Sequence, residues 1–413
     1  MNTQDQFEIA QFEDDLVKIR NNTEFVTQGW PGNGTPSNPY LLENLAIYDD
    51  DFPFNHSAID IYNTNVFFII RNCTLKLPDY DYGEAISLYN VTNGRIMNCT
   101  IAVEESESGI GHYIYGMYIA QSSNIHVTES VVTGGDYGIQ VVGSTSCSIE
   151  HSTFKGQRDT DIGVFFCNDT TIGENTAIGM DSPHSHIGIY LAGDCLNCSA
   201  ISNTVSNHLG VGIRIHGAVD SYIAGNNVTY SGTGALLQYA NLSRVLSNRF
   251  TDNDEGILID GTSYQNSITN NILGDNDVNA EDRGLNNSWS SNWYSDYSGI
   301  GVYLISGSAR SVDASPLPQT LHLPLLMNTI IILSLIGLIP LGAAIGYHMR
   351  LRERSGRKID RRPSLFLMAL SVLLPCGISI APPADPLFQD LKHILVDALF
   401  GSEFLEVPEL IGV

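Results

Sequence analysis

From Ile59 to Ile257 the chain runs in short stretches where apolar and polar residues alternate with a period of two, and no stretch has helical periodicity. Apolar openings, most of them preceded by glycine, recur at Ile59, Ile86, Met117, Ile139, Val164, Ile189, Ile213, Ala235 and Ile257. The intervals are 27, 31, 22, 25, 25, 24, 22 and 22 residues. Each unit then adds a polar turn, a second short strand, an Asn or Ser, and a third apolar position two residues on, as in GIYLAGDCLNCSAISNTV and GIRIHGAVDSYIAGNNV. Three short strands per unit and no helix exclude leucine-rich repeats, which need a helical or 3₁₀ segment; propeller blades would need about twice the length. The pattern predicts an all-β, single-stranded parallel β-helix of about 9–11 coils, each strand stacked ~4.8 Å above its equivalent.

A polar column supports the stacking. Asn72, Asn98, Asn175, Asn203, Asn226, Asn248 and Asn270 fall two residues before the third-strand apolar position, and Ser130 and Ser152 fill the gaps. Asn tolerates the left-handed conformation of a tight bend, and stacked amides hydrogen-bond along the axis. These asparagines are read as a structural ladder, not a ligand site.

Over roughly residues 40–280 the repeats resemble the right-handed parallel β-helix repeats of the NosD-like and carbohydrate-binding or sugar-hydrolase group. The opening Gly29-Trp30-Pro31-Gly32-Asn33-Gly34-Thr35, followed by Asn38-Pro39-Tyr40-Leu41-Leu42-Glu43-Asn44, is similar to the segment that precedes the first coil in that family. Asn286-Asn287-Ser288-Trp289 and Asn292-Trp293-Tyr294-Ser295-Asp296-Tyr297 resemble its aromatic closing motif. Here Ser290 and Ser291-Asn292 stand where the family tends to place Asp and Gly-Asn, so a cap is implied but no binding role for it. Trp289, Trp293, Tyr294 and Tyr297 read as a plug, because an open coil end exposes apolar core and strand edges. The resemblance implies a right-handed helix over 41–285, between an N-terminal cap (1–40) and a C-terminal cap and linker (286–322).

Charge separates a second region. Residues 1–322 hold 12 Lys+Arg against 37 Asp+Glu, whereas 323–413 hold 8 of each. This acidity excludes a nucleic-acid partner, which demands a basic face. The run Leu325 to Tyr347 is nearly free of charge, and its 23 residues at ~1.5 Å rise cross a ~30 Å hydrocarbon core. Transmembrane helices are therefore expected at 323–347 and 364–381, the second interrupted by Pro375 and Gly377. Between them, Arg350, Arg352, Arg354, Arg357, Lys358, Arg361 and Arg362 mark 348–363 as a cytoplasmic loop. The expected location is the cell membrane, with the β-helix and the tail 382–413 outside. Met1 is followed by no basic and apolar leader, so the expectation is a signal upstream of it, and the alternative is the reverse orientation.

Candidate chemistry comes from counting back from each repeat glycine. Position minus four holds His112, Asp159, His184, His208 and Asp252; position minus two holds Asp136, Asp161, His186 and Asp254. Alternate residues share a face, so Asp159, Asp161, His184, His186 and His208 are expected to meet on successive coils. As a catalytic set they suit acid/base work on a polysaccharide. As a metal set, Asp161, His184, His186 and His208 suit a divalent cation: Ca²⁺ through carboxylates, Zn²⁺ or Cu²⁺ through imidazoles. The plain reading is solvated turn residues in an acidic protein. Arg214-Ile215-His216 is similar to the basic tripeptide of polygalacturonase-like helices, but lacks the accompanying signatures. Cys73 and Cys99 fall at one register and read as stacked thiols, while Cys195 and Cys198 form a lone CxxC read as a local disulfide or free thiols. The reading that results is glycan or cation binding without catalysis on a surface glycan or glycoprotein, against a hydrolase or lyase, or a copper accessory.

Overall fold

The computed structural model describes residues 16–48, 57–77, 82–103, 113–180 and 186–318. There the chain winds into an all-β, right-handed parallel solenoid of about ten turns, its strands in three parallel sheets of 11, 13 and 11 members. In every sheet each strand pairs with the strand three places on in sequence, apart from an antiparallel hairpin at the C-terminal end. The chain divides into Met1–Gln319 and Thr320–Val413. The expected spans, the basic loop, the tail and the thiol of Cys376 all lie outside the described residues. Among the described residues no helix is long and apolar enough to cross a membrane.

Every coil turns its apolar residues inward, and the register makes them columns. Ile59, Ile86, Met117, Ile139, Ile162, Ile189, Ile213, Ala235 and Ile257 stand one above the other in the first sheet. Leu42 to Trp289 form the corresponding column of the second sheet and Ile47 to Tyr294 that of the third. Coils compensate in volume: where the first sheet offers Ala235, the third offers Phe250, both fully buried.

One register differs from expectation. Ile139 pairs with Ile162 and Ile162 with Ile189, so Val164 stands two residues further along, between Val141 and Leu191. The glycine preceding the aligned position in the neighbouring coils (Gly138, Gly188, Gly212) is here replaced by Asp161, and Gly163 is a separate, outward position.

The polar column is also two columns. The ladder proper runs Cys99, Ser130, Ser152, Asn175, Asn203, Asn226, Asn248, Asn271, Asn292, Asp313. From Ser130 on, each side-chain oxygen accepts the backbone N–H of its predecessor one coil back, at 2.9–3.2 Å. Asparagine amides donate onward to the next Oδ1, for example Asn203 Nδ2 to Asn226 Oδ1 at 2.9 Å. Asn72, Asn98 and Asn270 belong instead to the preceding bend column, where they adopt φ of 55°, 49° and 57°. The two properties that make Asn useful here, left-handed tolerance and amide stacking, are thus divided between adjacent residues.

Both described ends are covered. The helix Asn22–Thr27, capped by the Asn21 side chain, places Phe25 against Tyr40 and Phe68 at 4.7 and 5.7 Å. At the other end Trp289, Trp293, Tyr294 and Tyr297 are buried. Asp282 gathers the indole N–H of Trp289 (3.0 Å) and the Ser311 hydroxyl (2.7 Å) beneath them.

Candidate functional site

Of the five residues expected to form one patch, the four that are described do not share one surface. Asp161 and His208 come together, with His208 Nε2 2.9 Å from Asp161 Oδ2, but both side chains are 1% exposed. Their burial follows from the glycine column. A Cβ on Gly188 would lie 2.5 Å from Val205 Cγ1 and 3.0 Å from His208 Cε1, so this column faces the interior. Asp161 takes that inward position, and the missing side chain of Gly188 leaves the room through which His208 reaches it. Burial pushes the Asp161 carboxyl above its ordinary value, opposed by the charge and hydrogen bond of His208.

Asp159 stays outside, accepting from the hydroxyls of Tyr137 (3.2 Å) and Thr160 (2.9 Å). His186 is exposed, and His184 lies outside the described residues. The expectation of an Asp/His surface patch is therefore corrected: counting from Gly163 shifted Asp159 and Asp161 by two residues, which moved Asp161 from the interior to the surface.

The chemistry-bearing surface is the outer face of the first sheet, built around tyrosines. Tyr115 pairs in register with Tyr137, and their rings stack at 4.8 Å with planes 14° apart. Tyr113 lies 6.4 Å from Tyr137 at 4°, and Tyr118 leans on Tyr115 at 5.3 Å. Because in-register residues are displaced along the axis, near-parallel rings stack along it and turn their edges and hydroxyls outward. Burial, reinforced by neighbouring anions, pushes the Tyr115 phenol up to about 12 and raises Tyr118 and Tyr137 as well.

Carboxylates line this ledge and are themselves positioned. Glu84 accepts from Ser57 at 2.9 Å, and Asp136 accepts from the backbone N–H of Ile114 at 2.9 Å and pairs with Arg158 at 3.0 Å. Further along the same face, Phe165 meets Tyr190 edge-on at 5.2 Å. The Arg214 guanidinium lies 5.1 Å over the Tyr190 ring and donates to Gln238. Arg214 thus acts with an aromatic and an amide rather than within a basic tripeptide.

The tyrosine ledge was missed in the sequence, yet it left a signal. YIYGMY (113–118) repeats Tyr at alternate positions, and Tyr137 follows Tyr115 by the same 22 residues that separate Met117 from Ile139.

The thiols are interior. Cys73, Cys99, Cys147, Cys167, Cys195 and Cys198 are all free and buried. Desolvation pushes the Cys167 thiol up to about 12 and raises Cys147, whereas the hydrogen bond with Cys198 lowers Cys195 to about 7 and that with Cys73 lowers Cys99.

A single-stranded parallel β-solenoid with an aromatic outer face is a class shared by many functions. The family model of the periplasmic copper-binding protein NosD matches residues 43–194 and 160–307. The chain belongs to the NosD family. Among curated proteins none matches it. Solved structures similar to it include PfbA, a surface adhesin of Streptococcus pneumoniae, at 13% identity and TM-score 0.44, covering 57% of this chain and 74% of that one. The periplasmic alginate epimerase AlgG is similar at 14% identity and TM-score 0.42, covering 63% and 74%. A tailspike protein mutant of E. coli bacteriophage HK620, in complex with pentasaccharide, is similar at 12% identity and TM-score 0.49, covering 72% and 59%.

The family name raises the question of copper. Among the described residues no group of three or more His, Cys, Asp or Glu converges to hold a metal ion. Asp161 and His208 are sealed in the core and joined through His208 Nε2, so only the buried Nδ1 of His208 lacks a partner in that pair, and one imidazole nitrogen is no copper site. The described donors do not fit a resident copper ion.

Proposed function

We propose that this protein is a glycan-binding member of the NosD family, holding a polysaccharide along the outer face of the first sheet without cleaving it. The observation that carries the reading is the Tyr113–Tyr115–Tyr137 stack with its fixed carboxylates. Stacked half-buried rings lose little freedom on binding, so a ligand meets hydroxyls and apolar edges already in place. Asp159 and Glu84 accept from sugar hydroxyls, and charge-assisted acceptors of this kind bind more strongly than neutral ones. The surplus of carboxylates favours neutral or amine-bearing sugars over polyuronates, which the face repels.

The protein is held at the cell membrane by spans at 323–347 and 364–381, with the solenoid outside and the basic loop 348–363 in the cytoplasm. Affinity electrophoresis against neutral, amino-sugar and uronic-acid polysaccharides tests the binding. Retardation by neutral or amino-sugar polymers, diminished in Tyr115→Ala and Tyr137→Ala, is expected. Retardation by polyuronates alone, or equal retardation of the variants, overturns it. Release of reducing ends from any of these polymers would replace the binding reading with the hydrolase one.

A further inference from the structure

The C-terminal cap buries its aromatic residues yet leaves a set of aliphatic ones in solvent. Ile300 is 84% and Leu304 72% exposed, and Val302 and Val312 are exposed beside them in sequence or pairing. Leu304 and Val312 are cross-strand partners in the antiparallel hairpin, so their side chains form one apolar spot. Four large aliphatics within 13 residues at a solenoid tip are not needed for capping, which Trp289, Trp293 and Tyr294 accomplish. Arg310 stands exposed in the same hairpin and has no ion-pair partner among the described residues. In the sequence six residues (319–324) separate Pro318 from the apolar run that opens at Leu325.

We infer that the apolar tip of the cap hairpin, Ile300 with Leu304 and Val312, seats in the interfacial layer of a lipid bilayer, with Arg310 toward anionic headgroups. The inference rests on the membrane anchoring proposed above. The occupant is lipid because the hairpin stands at the C-terminal end of the described chain, a few residues before the apolar run in sequence, and because an apolar spot with a flanking cation is the chemistry of an interfacial anchor.

The test places a tryptophan in the tip of the full chain, Ile300→Trp or, as a second reporter, Leu304→Trp, and another at the far end, Tyr48→Trp, each in an exposed position. The chains are reconstituted into phosphatidylcholine–phosphatidylglycerol vesicles with and without brominated acyl chains, and flotation is measured on the same samples. The expected result is flotation of all three, with the added emission of the tip reporters quenched by bromine and that of Tyr48→Trp unchanged. Flotation with unquenched tip reporters overturns the seating and leaves the anchoring intact. Failure to float overturns the anchoring and the seating with it.

Discussion

Replacing Asn226 by Ala removes a rung from the middle of the asparagine ladder. Asn226 Oδ1 accepts the backbone N–H and the Nδ2 of Asn203, each at 2.9 Å, and its own Nδ2 donates to Ala200 O at 2.8 Å and Asn248 Oδ1 at 2.9 Å. After substitution the Asn203 N–H is buried without an acceptor, at a cost of about 1–3 kcal/mol, and the other three bonds are lost at roughly 0.5–1.5 kcal/mol each. Part of the loss is recovered by relaxation, so about 3–5 kcal/mol is expected. Ser130 and Ser152 occupy the same column, and Asn226→Ser keeps an acceptor for the Asn203 N–H; about half the loss is expected for it. Urea unfolding followed by circular dichroism measures both, with local hydrogen exchange at Asn203 as a direct readout. If Ala and Ser lower the midpoint equally, the side-chain oxygen is not what holds the coils in register, and the reasoning fails.

The buried pair gives a prediction in pH. Folding raises the Asp161 pKa above its unfolded value of 3.8, so the folded form binds the proton more readily. This contribution is fully present below that value and is lost as pH rises through the folded-state pKa. Asp161→Asn keeps a partner for His208 and cannot ionise, so its stability relative to the parent should grow as pH is raised from about 4 toward neutrality; a difference independent of pH would refute this. Asp282 is fully buried and accepts from Trp289, Ser311, Asn287 and the Gly284 N–H, so Asp282→Ala should cost roughly 3–5 kcal/mol and loosen the cap, seen as a lower melting temperature and faster proteolysis near Ser311.

The repeat was legible because each coil must bury the same inward pair, and Ile, Val and Leu at alternate positions leave little choice of register. Legibility failed at Val164, where Gly163 imitates the repeat glycine and Asp161 stands in the place of the real one. It failed by one residue at Asn270, because Asn270 and Asn271 are adjacent and the bend and ladder columns accept the same residue type. Spacing places Asp161 and His208 on neighbouring coils but does not say whether a side chain at the Asp161 position points inward. That depends on the start of each first-sheet strand, where Gly138 and Gly188 leave no room for a Cβ. The tyrosines carried an equally regular signal, overlooked because aromatic residues at strand positions are ordinary sheet formers.

The central claim is that a sugar chain lies on the ledge of Tyr113, Tyr115 and Tyr137, and a crystal of the full chain soaked with an oligosaccharide from the best-retained polymer tests it most directly. Sugar hydroxyls within hydrogen-bonding distance of the Asp159 or Glu84 carboxylates, beside those three rings, are what the account predicts. An oligosaccharide ordered elsewhere on the solenoid, with the tyrosine ledge bare, would contradict it.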